Sequence, residues 1–155
     1  MSDIYAQAVA ASADVIIREF EHADHDAAHE LWKTAEGVCH CDICTQLNMK
    51  ERIGKFLLRN PGCSFVAVCD GVVVGTILAG HDGRTGMIYR LAVSECSRKR
   101  GIGKRLVEAS VKALKREELM VVNAFVLNEN ANANAFWDKI GFKVSGRAVT
   151  RKCMI

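Results

Sequence analysis

One stretch of the chain restricts its fold more than any other: an apolar strand leads into a basic, glycine-containing loop, which leads into an amphipathic helix. The strand is Met87–Val93, and the loop and helix start are Ser97–Val107, written SRKRGIGKRLV. Glycines let a backbone approach a ligand closely, and the first N–H groups of a helix lack partners within it. With five cations nearby, the stretch predicts an anion site whose ligand carries phosphates.

The spacing of the loop excludes two common phosphate-binding loops. A Walker loop fails because Arg105 stands where Ser or Thr is required and Arg98 where the first glycine is required. A dinucleotide fingerprint fails because Leu106 stands at its third glycine position. The remaining pattern is Arg-x-x-Gly-x-Gly over residues 98–103.

Composition predicts one soluble, cytoplasmic domain. The chain has 155 residues, half of them hydrophobic, and no apolar run near the ~20 residues that cross a bilayer. Residues 1–14 are alanine-rich but lack a basic start and a long apolar core, which predicts a loose or helical N-terminal extension rather than a signal peptide. A single domain is expected over 15–155. The seven cysteines are expected to be reduced.

Charge is unevenly divided along the chain. Met1–Asn60 holds 6 Lys/Arg and 10 Asp/Glu, a net charge of −4, whereas Pro61–Ile155 holds 15 and 8, a net charge of +7. A basic C-terminal half suits a small polyanionic ligand, and nucleic acid is the competing interpretation.

Hydrophobic periodicity and turn residues predict an α+β fold with one mixed sheet. The chain has strong turn signals at Asp70-Gly71 and His81-Asp82-Gly83 and a helix stop at Gly141. The predicted strands are 15–20, 64–69, 72–80, 84–93, 119–127, 142–144 and 148–154. The predicted helices are 24–36, 48–59, 101–117 and a short one ending at Ile140. The consecutive strands form an antiparallel meander, and the loop before Gly101 lies where pairing becomes parallel, a usual place for ligands.

A second segment, Asn130–Phe142, written NANANAFWDKIGF, completes a resemblance. Together with the Arg-x-x-Gly-x-Gly loop, it is similar to the GNAT N-acetyltransferase superfamily. The usual form there is Asn-x-x-Ala-x-x-aromatic/Leu-Tyr-x-Lys-x-Gly-Phe. The resemblance implies a six- to seven-stranded sheet, with parallel pairing at a central splay, flanked by about four helices.

The resemblance implies an acetyl-CoA-dependent N-acetyltransferase that moves acetyl directly to an amine on a small molecule or a protein. Backbone N–H groups from Arg100 to Lys104 would hold the pyrophosphate, and the pantetheine arm would pair with the edge of 91–93. Asn130 would bond the arm or the pyrophosphate region, and Lys139 or Arg98 would meet the 3′-phosphate. The residues expected to contact acetyl-CoA are Leu91, Ala92, Val93, Arg98, Lys99, Arg100, Gly101, Ile102, Gly103, Lys104, Asn130, Ala133, Phe136, Trp137 and Lys139.

Catalysis departs from the family pattern at two positions. Trp137 stands where the family has its tyrosine acid, and Met87 stands where many relatives have a glutamate. Tyr89 is the first choice, either to donate a proton to the thiolate or to hold a water, because strand alternation puts it on the face of Met87 and Leu91. Water as the acid, with catalysis resting on proximity, is the alternative. The resemblance implies that the backbone N–H of Val93 would be the oxyanion donor. His81 and Asp82 are second choices, and Glu36 and Asp42 third.

Several alternatives stay open. A regulatory module that binds acyl-CoA with weak or no transfer competes with the enzyme, and nucleic-acid binding is disfavoured because few aromatics interleave the basic residues. Cys39, Cys41 and Cys44 lack the paired spacing of a zinc site, so we expect no metal. His22, His25 and His29 are interpreted as a solvated helix edge. No membrane partner is expected, and acceptor identity and homodimerisation are left open.

Overall fold

The computed structural model describes residues 14–35 and 42–146, although not the side chains of 42 and 43. The strands are β1 (Val15–Glu19), β2 (Phe65–Cys69), β3 (Val72–His81), β4 (Gly86–Val93) and β5 (Val122–Ala124). The α-helices are α1 (His25–Thr34), α2 (Asp42–Leu47), α3 (Lys50–Arg59), α4 (Ile102–Arg116) and α5 (Ala131–Lys139). Short 3-10 turns span His22–Asp24 and Glu95–Ser97.

The five strands form one sheet in chain order, β1-β2-β3-β4-β5. The first four strands pair antiparallel, and β4 pairs with β5 in parallel from Gly86↔Val122 to Ile88↔Ala124. The predicted α+β class and the change from antiparallel to parallel pairing are confirmed. The described residues up to Phe125 form one compact unit, and those from Val126 onward form a second.

The β2–β3 turn has the backbone that its sequence predicts. Asp70 and Gly71 both have positive φ, 49° and 78°. A two-residue turn with both residues in this region matches the twist of the strands on either side. The predicted hairpin is therefore confirmed.

Helices cover both faces of the sheet in the unit that ends at Phe125. On one face α1 and α3 enclose a core with Trp32, Ile53, Val66, Leu78 and Ala92. On the opposite face a Cβ on Gly75 would lie only 3.1 Å from Leu106 of α4, so glycine allows the helix to approach β3. Burial of these apolar faces is the main force that holds the helices against the sheet.

Four features differ from the prediction within the described residues. The sheet has five strands there rather than six or seven, and 142–144 is not a strand. The strand expected over 119–127 is reduced to Val122–Ala124, and the cysteine-bearing loop contains α2. The last predicted strand, 148–154, lies outside the described residues.

The end of α5 explains why 142–144 is not a strand. The N–H of Phe142 donates to the Trp137 carbonyl at 2.9 Å, and the N–H of Gly141 donates to the Asp138 carbonyl at 3.2 Å. With Gly141 at φ 95°, this is the Schellman arrangement, which satisfies two free carbonyls at a helix end. The backbone of Phe142 therefore takes part in ending α5 and does not begin a strand.

Candidate functional site

Strand β4 contains a bulge that sequence alternation does not predict. Its register with β3 moves from Leu78↔Tyr89 to Thr76↔Ala92, so two residues of β4 lie opposite one residue of β3. Arg90, inside the bulge, has φ 48°. The prediction that Tyr89 and Leu91 share a face by alternation is therefore wrong, because the bulge at Arg90 interrupts the alternation of side chains along β4. Ala92 instead shares the face of Tyr89, toward α1 and α3.

Beyond Ile88, the side of β4 that faces β5 is open in the sense that no described strand pairs with it. Pairing with β5 ends at Ile88↔Ala124, and within residues 14–35 and 42–146 no strand continues it along Leu91–Val93. The N–H of Ser94 donates to Val74 of β3 at 2.8 Å. Because neighbouring N–H groups of a strand point to opposite sides, the N–H of Val93 points away from β3, toward this opening.

The glycine loop connects the end of β4 to α4 through two left-handed residues. Lys99 has φ 61° and Gly101, the residue before α4, has φ 74°. A left-handed lysine costs on the order of 1 kcal/mol, so the rest of the loop must hold it. The first i to i−4 bond at this end runs from the Arg105 N–H to the Gly101 carbonyl at 3.1 Å. The N–H groups of 102–104 come before that bond, as in an anion-binding helix start.

The cations of the loop have different roles. Arg98 is exposed and its Nε donates to the Val93 carbonyl at 3.4 Å. Arg105 donates to the Val15 carbonyl at 2.8 Å, which ties α4 to β1. Lys104 lies 3.7 Å from Glu108, in an exposed pair that contributes little. Lys99 is exposed, and Arg100 is partly buried.

Two predicted contact residues have buried side chains. The Ile102 side chain is 2% exposed, and Ala92 belongs to the core on the face of α1 and α3. Only their backbone groups are available to a ligand. Leu91, Val93 and Gly103 are partly exposed.

Tyr89 is held by its ring and not by its hydroxyl. The ring stands edge-on to Phe56 of α3, with centroids 5.8 Å apart, and the residue is 40% exposed. Among the residues that the structure describes, the hydroxyl has no hydrogen-bond partner. Burial, and then the carboxylate of Asp82, raise the pKa of Tyr89, which keeps the phenol protonated and able to donate.

The second-choice residues His81 and Asp82 build the β3–β4 turn. Oδ1 of Asp82 accepts from the N–H groups of Arg84 and Thr85, both at 2.8 Å. These bonds lower the pKa of Asp82. Nδ1 of His81 accepts from the Gly83 N–H at 3.2 Å. Glu36 and the side chain of Asp42 lie outside the described residues.

The second unit carries the other predicted contacts on α5. Oδ1 of Asn130 accepts from the Ala133 N–H at 2.9 Å and so caps the helix. Trp137 is 8% exposed, and its ring lies 5.4 Å from Phe136 and 4.8 Å from Phe142. Trp137 is thus a packing residue within its own unit. Ala133 and Phe136 are partly exposed, and Lys139 is exposed.

Sequence reasoning missed a buried polar chain that reaches the bulge. The Trp32 indole donates to Thr76 Oγ1 at 2.9 Å, and that hydroxyl donates to the Arg90 carbonyl at 3.2 Å. Arg90 Nε donates to Asn48 Oδ1 at 2.8 Å, and Nε2 of His25 lies 2.7 Å from the Asn48 carbonyl. His25 is 5% exposed, so its interpretation as part of a solvated edge is wrong. The one sequence signal for this buried chain was the presence of polar residues at positions where the hydrophobic pattern predicts burial.

Neither a metal-ligand cluster nor a membrane helix is found in the part of the chain that the structure describes. Across residues 14–35 and 42–146, no three His, Cys, Asp or Glu side chains are grouped as a metal site would need. Cys39 and Cys41 lie outside these ranges. No described helix has the length and apolar character for a membrane crossing.

Several solved structures share the fold. The aminoglycoside acetyltransferase AAC(6′)-Iy, in complex with a bisubstrate analogue, superposes with a TM-score of 0.72 at 18% identity, covering 92% of this chain and all of that one. The PaiA N-acetyltransferase of Thermoplasma acidophilum, in complex with coenzyme A, gives 0.71 at 21% identity, covering 84% and 91%. A transcriptional regulator of Bacillus halodurans gives 0.68 at 18% identity, covering 90% and all of it.

Sequence comparison identifies the family. An acetyltransferase of Sodalis glossinidius is 30% identical over 129 residues, covering 83% of this chain and 87% of that protein. An acetyltransferase of Yersinia enterocolitica is 27% identical over 140 residues, covering 90% and 95%. The model of the acetyltransferase (GNAT) family matches residues 18–142, which include β4, the glycine loop and α5. The chain therefore belongs to the GNAT family of acetyltransferases.

Proposed function

We propose that the protein transfers an acetyl group from acetyl-CoA to an amine. The observation that carries this proposal is the open side of β4 beyond Ile88, next to a loop with left-handed Lys99 and Gly101 and the start of α4. An open strand edge suits the amides of a pantetheine arm, and a helix start suits a pyrophosphate. The strand edge and the helix start lie close together in the sequence, so one cofactor can contact both.

The chemistry requires one bond to form and one to break. The amine nitrogen attacks the thioester carbonyl carbon, and the C–S bond then breaks to release the thiolate of coenzyme A. An alkylamine is mostly protonated at neutral pH, and its deprotonation costs about 4–5 kcal/mol. The Val93 N–H is assigned to the oxyanion, because a donor aimed at developing charge lowers the barrier. The amine proton leaves to water or to a base.

Tyr89 is assigned as the proton donor to the departing thiolate. Its hydroxyl has no competing partner among residues 14–35 and 42–146, and its raised pKa keeps it protonated. Met87 and Trp137 carry no proton that they can give at a useful pKa. The assignments of Asn130, Ala133, Phe136, Trp137 and Lys139 to acetyl-CoA rest on the family pattern and stay predictions.

Calorimetric titration with acetyl-CoA tests the proposal. Gly103→Leu adds a branched side chain in the first turn of α4, and we expect affinity to fall at least about tenfold. Lys112→Leu, an exposed change on the same helix, is the matched control and should bind normally. Folded protein that binds no acetyl-CoA, or equal affinity in both variants, would contradict the proposal.

A module that binds acyl-CoA without transferring it is the second candidate. It is favoured by Met87 and by the packed Trp137, which stand at the two usual catalytic positions. A thiol-release assay over a panel of amines separates the two candidates, since only an enzyme releases coenzyme A in an amine-dependent manner.

A cytoplasmic location and a single domain over 15–155 stay predictions.

A further inference from the structure

The guanidinium of Arg90 is fixed through one of its three nitrogens. Nε donates to Asn48 Oδ1 at 2.8 Å. Within the described residues, Nη1 and Nη2 make no hydrogen bond and no ion pair, although the residue is partly buried. An arginine fork in this state offers two parallel N–H donors and a full positive charge.

Both ends of Arg90 are held by buried groups. Its carbonyl accepts from Thr76, which is fully buried, and its side chain reaches Asn48, which is 6% exposed. The Asn48 carbonyl lies 2.7 Å from Nε2 of His25, itself 5% exposed. The bulge adds a φ of 48° at Arg90, a conformation that costs a non-glycine residue on the order of 1 kcal/mol. Strain held in place by buried bonds is characteristic of functional positions.

Arg90 stands between the proposed proton donor and the open strand edge. It follows Tyr89 directly and comes just before Leu91–Val93. Its partner Asn48 precedes α3, the helix whose Phe56 contacts the Tyr89 ring. The two neighbouring side chains thus both contact α3 or the residues just before it, Tyr89 through Phe56 and Arg90 through Asn48.

The charges that the structure describes on α1 and α3 favour an anion. Helix α3 carries four Lys/Arg and one Glu, a net charge of +3. The two carboxylates of α1 are each paired, Asp26 with Lys50 of α3 at 3.0 Å and Glu30 with Lys33 at 2.6 Å. A polycationic amine would meet repulsion here, whereas an acceptor with a negative group would be attracted.

We infer that Arg90 binds a carboxylate of the acceptor, so that the substrate class is an amine that also carries a carboxylate, as an amino acid does. This inference rests on the proposed function. Two N–H donors in one plane match the two oxygens of a carboxylate. The interaction would orient the amine and select against acceptors that lack the carboxylate.

Product binding tests the inference without requiring turnover. N-acetylated amino acids and their carboxamides are titrated by calorimetry into the protein saturated with coenzyme A. We expect the carboxylates to bind about 10- to 100-fold more tightly than the amides, and Arg90→Gln to remove that difference. Arg90→Lys should keep part of the preference, since it retains charge but loses the fork.

Arg116→Gln is the matched control, because Arg116 is an exposed arginine in the last turn of α4, on the opposite face. It should leave the preference intact, and circular dichroism should show all variants folded. Equal binding of carboxylate and amide, binding of neither, or stronger binding of a phosphorylated amine would overturn the inference. If coenzyme A itself does not bind, the proposed function fails, and that result is visible in the first titration.

Discussion

The Trp32 indole N–H donates a 2.9 Å hydrogen bond to Thr76 Oγ1, across the interface between α1 and the centre of the sheet. Trp32 is 1% exposed and Thr76 is fully buried. The same hydroxyl donates to the Arg90 carbonyl at 3.2 Å, so one oxygen links the helix to the bulge of β4. This relationship connects the stability of the core to the geometry of the candidate site.

Replacement of Thr76 by valine should destabilise the protein by about 2–4 kcal/mol. The change keeps the shape of the side chain but leaves a buried indole donor and a buried carbonyl without partners, each of which costs about 1–3 kcal/mol. Urea unfolding measures the effect. Thr76→Ser retains the hydroxyl and should lose only about 1 kcal/mol, from the missing methyl group. Equal destabilisation by the two variants would show that the hydroxyl does not contribute.

Tyr89→Phe should lower kcat about 10- to 100-fold while acetyl-CoA affinity is unchanged. The change removes one hydroxyl from the ring that contacts Phe56, so it deletes a proton donor with little loss of packing. Steady-state kinetics and calorimetry measure the two quantities. An unchanged kcat would mean that water protonates the thiolate.

The pH dependence of the rate provides a separate check on Tyr89. Burial and the Asp82 carboxylate raise its pKa above the ordinary value of about 10, so the phenol stays protonated through neutral and mildly alkaline pH. The rate of the wild type should therefore rise with pH as the amine deprotonates. It should show no decrease at any pH lower than about 10. A falling limb between pH 7 and 9 would assign the proton donor to another group.

Asp24 should contribute stability that is lost in acid. Both carboxylate oxygens accept from Arg18, at 2.7 Å each, and Oδ2 also accepts from the Glu21 N–H at 2.9 Å. Burial acts to raise the pKa of Asp24, but the bonds from Arg18 and Glu21 outweigh it and lower the pKa below the ordinary range. Because the folded pKa is depressed, the stabilisation is present above about pH 4, the unfolded value, and disappears as pH falls through the folded value.

Measurement of the free energy of unfolding between pH 2 and 7 tests this expectation. Asp24→Asn should flatten the acid side of the curve relative to the wild type. Asp70→Asn, at the exposed β2–β3 turn, removes the same charge without breaking an ion pair and serves as the control. If both variants follow the wild-type curve, the Arg18–Asp24 pair does not contribute to acid stability.

Alanine at two glycines of the loop should have opposite effects on stability. Gly101 has φ 74°, and a Cβ added there would meet nothing within 4 Å, so Gly101→Ala should cost about 1 kcal/mol from backbone strain alone. Gly103 lies within α4, where Gly103→Ala should stabilise by up to about 1 kcal/mol. Urea midpoints of the two variants measure the difference. Stabilisation by Gly101→Ala would contradict the left-handed conformation at Gly101, and destabilisation by Gly103→Ala would contradict the expectation for a glycine within α4.

Local patterns along the chain were sufficient to predict β1 to β4, the helices α1, α3, α4 and α5, and the glycine loop, but not α2 or the extent of β5. The Asp70-Gly71 turn, the strand before the loop and the helix after Gly101 follow from residue preferences that act over a few neighbours. The α+β class and the change to parallel pairing follow from the order of these elements. The resemblance of the loop and of Asn130–Phe142 to the GNAT pattern agrees with the family match over residues 18–142.

Only the tertiary structure decided the features that depend on residues far apart in the chain. The bulge at Arg90 requires the register of β4 against β3, and alternation within one strand cannot reveal it. Arg90 and Asn48 are 42 residues apart, and Trp32 and Thr76 are 44 apart. Their bonds exist because packing of α1 and α3 on one face of the sheet removes water from polar groups that must then pair with each other. The sequence by itself determined the strand, the loop and the helix, and long-range packing decided which side chains stand beside them.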